Sequence, residues 1–114
     1  MKVEEICSVL NGELICGGEK EGREVRYAFA SDLMSDVLTV NCDNLLLITG
    51  LANLQAIRTA EMSDIDCILF VRNKSISPEM KGLAEELGIT LINCASSMFR
   101  ASGELYMAGM KPLF

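Results

Sequence analysis

Residues 44–71, NLLLITGLANLQAIRTAEMSDIDCILFV, set the fold. An apolar run from Asn44 or Leu45 to Ile48 comes first. A helical stretch of about Asn53 to Met62 follows, its apolar members Leu54, Ile57 and Ala60 separated by Gln55, Arg58, Thr59 and Glu61. A second apolar run, Cys67 to Val71, closes the unit. Continuous apolar runs of this length suit strands buried on both faces, and the intervening amphipathic stretch suits a crossover helix, so the unit reads as strand, helix, parallel strand. Within the helix, Arg58 has Met62 four positions on, which leaves Glu61 at three as its acidic neighbour and ordinary helix support.

Downstream the pattern recurs. Ser77 stands as N-cap with Pro78 in the first helical position and Glu79 beside it, the helix runs to Leu87, and Gly88 stops it. Ile89 to Asn93 is the next strand. Ser96 or Ser97 caps a last helix carrying Met98, Ala101, Leu105 and Ala108, closed by Gly109, and the tail KPLF lies on the surface or against a partner. The strand starts Leu45, Cys67 and Ile89 fall 22 positions apart each time, the length of one strand, one helix and two short loops. Successive units of that kind give right-handed crossovers and a parallel sheet.

Upstream, Val3, Ile6, Cys7 and Leu10 recur at helical spacing, and Gly12 follows Asn11 as a stop. Leu14 to Cys16 is a brief strand, GGEKEG a charged surface turn, and Glu24 to Ala30 a strand in which Val25, Tyr27 and Phe29 alternate with polar or small residues. Ser31 precedes DLMSDVLTV as an N-cap, with Asp32 complementing the positive helix end. Ser35 and Asp36 read as the wet face of that helix. These earlier strands can pair antiparallel and make the sheet mixed. The expected architecture is a three-layer α/β sandwich: a mostly parallel, mixed sheet of about five strands with helices on both faces, one domain spanning residues 1–114.

The chain has 114 residues, enough to bury roughly two thirds of the surface its unfolded form exposes. Half of it is hydrophobic, with four Phe, two Tyr and no Trp, so the core is aliphatic. Ten basic against sixteen acidic side chains leave a net charge of -6, which argues against nucleic acid as a partner, because phosphate-backbone binding draws on a Lys/Arg surface. The longest apolar run, Leu45 to Ala52, falls far short of the roughly 20 residues of a membrane span. The opening MKVEEICSVLNG carries Glu4 and Glu5 and lacks a long apolar region, so it reads as a helix of the mature fold and the expected compartment is the cytoplasm. Cys7, Cys16, Cys42, Cys67 and Cys94 form an odd set without a C-x-x-C pair, as buried reduced thiols do.

Ligands of open parallel sheets settle beyond the carboxyl ends of the strands. The loops there are Thr49 to Asn53, Arg72 to Ser77 and Cys94 to Ser97. The first holds Gly50 and leads into a helix N-terminus, where free N–H groups favour an anion. It has one glycine rather than G-x-G-x-x-G, and any βα turn can use glycine to bend. In the second, Arg72, Asn73 and Lys74 put two cations and an amide directly after a buried strand, suited to a carboxylate or phosphate. Several chemistries lack their parts. There is no His for a general base or imidazole ligand, GGEKEGREV does not have P-loop spacing, and the thiols lack the close pairs of zinc sites. Neither a metal nor a cofactor is expected.

The segments SDLMSDVL, then LLLITGLANLQAIRTAEMSDIDCILFVRNKS, then LAEELGITLINCASSMF with GELYMAGM, in that order and spacing, resemble the DRTGG domain family. This small α/β module occurs also in the N-terminal domain of HPr kinase/phosphorylase-like proteins, in phosphate acetyltransferases and between the CBS domains of regulated pyrophosphatases. Where the family's DR pair would follow the first central strand this chain has Ala52-Asn53, and where TGG would follow the next it has Val71-Arg72-Asn73. The resemblance implies an HPr kinase N-domain-like fold and a regulatory or ligand-sensing module that commonly dimerises and is not a catalyst. The kinase label of relatives belongs to a separate P-loop domain. Ligand binding of the kind the resemblance implies, for a small anion such as a nucleotide, falls on Thr49, Gly50, Asn53, Arg72 and Asn73, with a homodimer or another protein as partner. The competing reading is a cysteine-dependent redox protein or enzyme, for which Cys94 is best placed because it ends a strand just before a helix N-terminus.

Overall fold

The computed structural model describes residues 1–18 and 23–114. The chain order is α1 (Val3–Leu10), β1 (Glu13–Cys16), β2 (Tyr27–Ala30), α2 (Met34–Val37), β3 (Leu45–Thr49), α3 (Leu54–Met62), β4 (Cys67–Phe70), α4 (Pro78–Leu87), β5 (Thr90–Asn93), α5 (Met98–Met107) and β6 (Lys111–Pro112). The six strands make one sheet in the order β1-β5-β4-β3-β2-β6. β2, β3, β4 and β5 run parallel in sequence order, β6 pairs parallel with β2, and β1 pairs antiparallel with β5. The sheet is therefore mixed, as the sequence predicts, and has one strand more than the expected five. The extra strand comes from the tail: Lys111 and Pro112 lie beside Tyr27 and Ala28.

Every residue of β3, β4 and β5 is buried. That follows from helices on both faces. Met34 and Val37 of α2, Ala56, Ile57 and Ala60 of α3, and Met80 and Ala84 of α4 pack with Leu45, Leu47, Ile68, Phe70 and Leu91 in one cluster. Val3, Ile6 and Leu10 of α1 and Ala101 and Leu105 of α5 pack with Leu46, Ile48, Cys67, Leu69 and Ile92 in the other. Successive residues of a strand thus feed opposite cores, each large aliphatic side chain contributing about 1.5–3 kcal/mol on burial. Crossovers from β2 through β5 all move the same way across the sheet and place α2, α3 and α4 on one face, whereas α5 returns over the other.

Three local expectations change. The helix expected from Ser31 shrinks to four residues, and its N-cap is Leu33 rather than Ser31. Ser31 Oγ instead accepts a hydrogen bond from Leu33 N within the loop, because Asp32 is drawn away to the neighbouring strand. β2 starts at Tyr27 rather than Glu24. Glu24 forms an isolated antiparallel bridge with Lys2, and Val25 turns into the core at 1% exposure. The α1 helix is closed by Asn11 in the left-handed conformation (φ 51°), not by Gly12, since an Asn side chain tolerates that region. Of the charged turn GGEKEG, residues 19–22 lie outside the described residues.

Candidate functional site

The loops that leave β2, β3, β4 and β5 gather at one edge of the sheet. After β2, the Asp32 carboxylate reaches across to β3, where Oδ1 accepts hydrogen bonds from Thr49 Oγ1 at 3.0 Å and from Gly50 N at 2.7 Å. Thr49 Oγ1 in turn accepts from Leu51 N at 3.1 Å. The Gly50 N–H, which the sequence offers to an incoming anion, is thus already taken by a carboxylate of the chain itself. Thr49 is fully buried and sits behind the edge as a strut.

Two helices on the same face begin beside this loop. Asn53 Oδ1 accepts from Ala56 N at 2.9 Å and caps α3; Ser77 Oγ accepts from Met80 N at 3.1 Å and caps α4, with Pro78 behind it. Each cap satisfies one of the N–H groups left open in a first turn and leaves others free. Between the two helix starts lies an open groove of about 510 Å³ whose polar lining comes from Asn53, Gln55, Ser75 and Ser77. α5 begins likewise, with Ser97 Oγ accepting from Arg100 N, but on the opposite face.

After β4, Arg72 and Asn73 both adopt left-handed backbone angles, φ 66° and 52°. For Arg72 this costs about 1–2 kcal/mol, whereas Asn73, like Asn11, tolerates the region. Their amides hold the turn in place, Arg72 N donating to Ser96 O and Asn73 N to Cys94 O, both at 2.8 Å. The turn aims Arg72 back along the edge. Its Nε lies 3.9 Å from the position a Cβ on Gly50 would occupy, and the Asp32 oxygens lie 3.5 Å from the same point. Among the described residues the ion pairs are Met1–Glu24, Arg23–Asp66 and Arg100–Glu104, so Arg72 is exposed and has no carboxylate within ion-pair distance. Arg58 and Glu61 do not pair.

The structure therefore brings Gly50 and Arg72 together, places Asn53 in the adjoining groove, keeps Asn73 exposed in the Arg72 turn and holds Thr49 inside. Two further residues belong to this edge. Asp32 reads in sequence as a helix cap, and nothing in its local pattern announces a bond to a strand 17 positions later. Asn93 ends β5 with Nδ2 donating to Lys74 O at 2.8 Å, while its buried Oδ1 has no hydrogen-bond partner among the described residues. Its signal is a polar amide directly after the apolar pair Leu91–Ile92 at the end of β5.

The thiols are all unbridged, with Cys16, Cys67 and Cys94 buried and Cys7 and Cys42 half-buried. Burial pushes the Cys94 thiol up, only partly offset by a hydrogen bond from the Ser96 backbone. A thiol held protonated is a poor nucleophile. Among the described residues no group of three Cys, Asp or Glu side chains is placed to hold a metal ion, and no helix is long and apolar enough to cross a membrane.

A mixed six-stranded sheet between two helical layers, with its loops gathered at the carboxyl edge, is a three-layer α/β sandwich. The DRTGG domain family matches residues 5–107, and the chain belongs to that family. Among solved structures it is similar to the CBS and DRTGG domains of the regulatory region of Clostridium perfringens pyrophosphatase, a crystal structure complexed with the activator diadenosine tetraphosphate. The TM-score is 0.78 at 15% identity, over 90% of this chain and 45% of that one. This chain thus spans less than half the length of that structure's chain. No curated protein matches it.

Proposed function

We propose that this chain, as one domain over residues 1–114, is a non-catalytic regulatory module of the cytoplasm. It binds a small anionic ligand, such as a nucleotide, at the carboxyl edge of its sheet and works as a homodimer. The observation that carries the ligand reading is Arg72. A left-handed turn that is costly for Arg72 directs a guanidinium with no ion pair among the described residues toward Gly50, beside a groove between two helix N-termini. The turn is held by backbone bonds to Ser96 and Cys94, and an uncommon backbone conformation kept at an exposed loop points to function. The similarity to a pyrophosphatase regulatory region crystallised with a nucleotide activator supports the same class of ligand.

In this reading Arg72 holds the phosphate, Asn53 and Asn73 contribute amides, and Gly50 lets the ligand approach the backbone. Asp32 limits the site: its charge beside Gly50 displaces the anion toward Arg72 and the α3–α4 groove. Isothermal titration with AMP, ADP, ATP, diadenosine tetraphosphate and acetyl phosphate tests it. Saturable binding of at least one that weakens tenfold or more in Arg72→Ala is expected; absence of binding by all five would remove the ligand reading. Incubation with labelled ATP and candidate acceptors should transfer no phosphate.

A further inference from the structure

The outward side of α5 is apolar and uncovered. Phe99 is 90% exposed, Tyr106 66% and Met107 88%. With Gly103 between them, these positions recur at helical spacing on one face, opposite the Ala101 and Leu105 that enter the core. Among the described residues a Cβ on Gly103 would meet nothing within 4 Å, so none of their contacts calls for glycine, although glycine inside a helix costs about 1 kcal/mol relative to alanine. Beside this face, between α5 and the β2–β6 edge, runs an apolar groove of about 210 Å³ floored by Ala28, Ala30 and Ile48. That is below the roughly 300–1,000 Å³ of small-molecule pockets, and suits an inserted side chain.

We infer that this face is where two copies of the chain meet, their α5 helices crossing antiparallel at Gly103; the inference rests on the homodimer reading above. Charge selects a second copy as the occupant. Of the sixteen acidic residues, only Glu104 lies beyond Glu86, and it is paired with Arg100 at 2.7 Å. With Lys111 on the adjoining strand, the α5 and β6 surface is close to neutral in a protein of net charge -6. Two such molecules meet little like-charge repulsion along α5 and β6 themselves. The corresponding open glycine of α4, Gly82, is by contrast surrounded by Glu79, Glu85 and Glu86.

The crossing is also self-complementary. An antiparallel pair centred on Gly103 sets Phe99 against Met107 of the partner subunit and Arg100 against Tyr106 of the partner subunit, a sulfur–aromatic and a cation–π contact, each made twice by the two-fold axis. Phe99, Tyr106 and Met107 at their exposures present roughly 400 Å² per copy, on aromatic areas of about 150–250 Å². A two-fold pair brings together roughly 800 Å² from these side chains alone, close to the ~1,000 Å² at which specific interfaces begin, with the groove walls in addition.

The test combines sedimentation of the full chain with cross-linking. Wild type is expected to sediment as a dimer, Phe99→Glu to weaken association at least tenfold, and Gly103→Cys to form a disulfide-linked dimer under copper–phenanthroline while Gly82→Cys and wild type do not. A wild-type dimer that Phe99→Glu leaves intact and Gly103→Cys does not cross-link would overturn this face and leave the dimer reading standing. A wild-type monomer at about 100 μM would overturn both and assign the face to a different protein.

Discussion

Asp32 Oδ1 accepts hydrogen bonds from both Thr49 Oγ1 and Gly50 N, at 3.0 and 2.7 Å, and so fastens the loop after β2 to the end of β3. The bond matters most for Thr49, whose residue is fully buried. Asp32→Ala would leave its hydroxyl and the Gly50 amide short of a partner, which costs about 1–3 kcal/mol. Asp32→Asn keeps an acceptor in place and should lose less than half as much in urea unfolding. The same Asp32→Asn change removes the negative charge beside the proposed ligand, so anion affinity should rise as stability falls slightly. Equal affinity in wild type and Asp32→Asn would mean that the ligand does not sit at this end of β3.

Gly50 and Gly17 look alike in sequence and differ in structure. Gly50 does not adopt a positive φ, and a Cβ there would find its nearest atoms at 3.5 Å, an ordinary contact. Gly50→Ala should therefore stay within about 0.5 kcal/mol of wild type and act on binding alone, by filling the space over which a ligand reaches the backbone. Gly17 has φ +93°, and its Cβ would lie 2.7 Å from Thr90 Cα. Gly17→Ala combines a backbone penalty with a clash against a buried strand, and a loss of at least 3 kcal/mol is expected from strain and overpacking together. Denaturant midpoints of the two variants that fall close together would contradict this account.

Arg72 separates stability from function. Glycine accepts φ 66° without the roughly 1–2 kcal/mol that a side chain incurs there, whereas alanine does not. Arg72→Gly should therefore be more stable than Arg72→Ala by about 1 kcal/mol, while both lose the guanidinium and bind the anion equally weakly. Thermal unfolding and titration of the pair decide the point. If Arg72→Gly is no more stable than Arg72→Ala, the left-handed turn is relaxed in solution and its strain cannot be part of the site.

What sequence revealed divides along the range of the interactions. The βα period from Leu45 onward, the cap Ser77 and the Ser96–Ser97 pair that holds the cap of the last helix were legible because capping and burial are set by neighbours within a turn of helix or a strand, whereas Asn53 read only as the first residue of its helix. The DRTGG resemblance agrees with the family match over residues 5–107. The short α2, the late start of β2 and the sixth strand were not legible. Asp32 leaves its own helix end for Thr49, Val25 is turned into the core beside the Lys2–Glu24 bridge, and Lys111–Pro112 pairs with a strand more than 80 positions earlier. Each is a long-range pairing without a local signature. At the edge of the sheet, Gly50 and Arg72 are nominated by their loops, but the carboxylate that occupies Gly50 N and the buried Asn93 Oδ1 arise from contacts between distant parts of the chain.

Burial of the thiols adds a pH-dependent contribution to stability on the alkaline side. Burial pushes Cys67 up to about 12 from an ordinary 9.0, against a partial lowering by Arg23, and burial raises Cys94 and Cys7 as well. A group whose folded pKa lies above its unfolded value keeps its proton longer in the native state. The unfolded chain sheds that proton first, so the contribution is complete below pH 9 and is lost as pH rises from 9 toward 12. Cys67 alone gives a slope of up to about 1.4 kcal/mol per pH unit in that window. Cys67→Ala also opens a cavity, which lowers stability at every pH, so the informative quantity is the slope. Urea unfolding between pH 8 and 11 should fall less steeply for Cys67→Ala than for wild type; parallel curves would show that the thiol is solvated. At pH 7.5 iodoacetamide should reach the half-buried Cys7 and Cys42 first, and Cys67 and Cys94 only as the chain unfolds. Rapid native labelling of Cys94 would restore the case for a reactive cysteine at the end of β5.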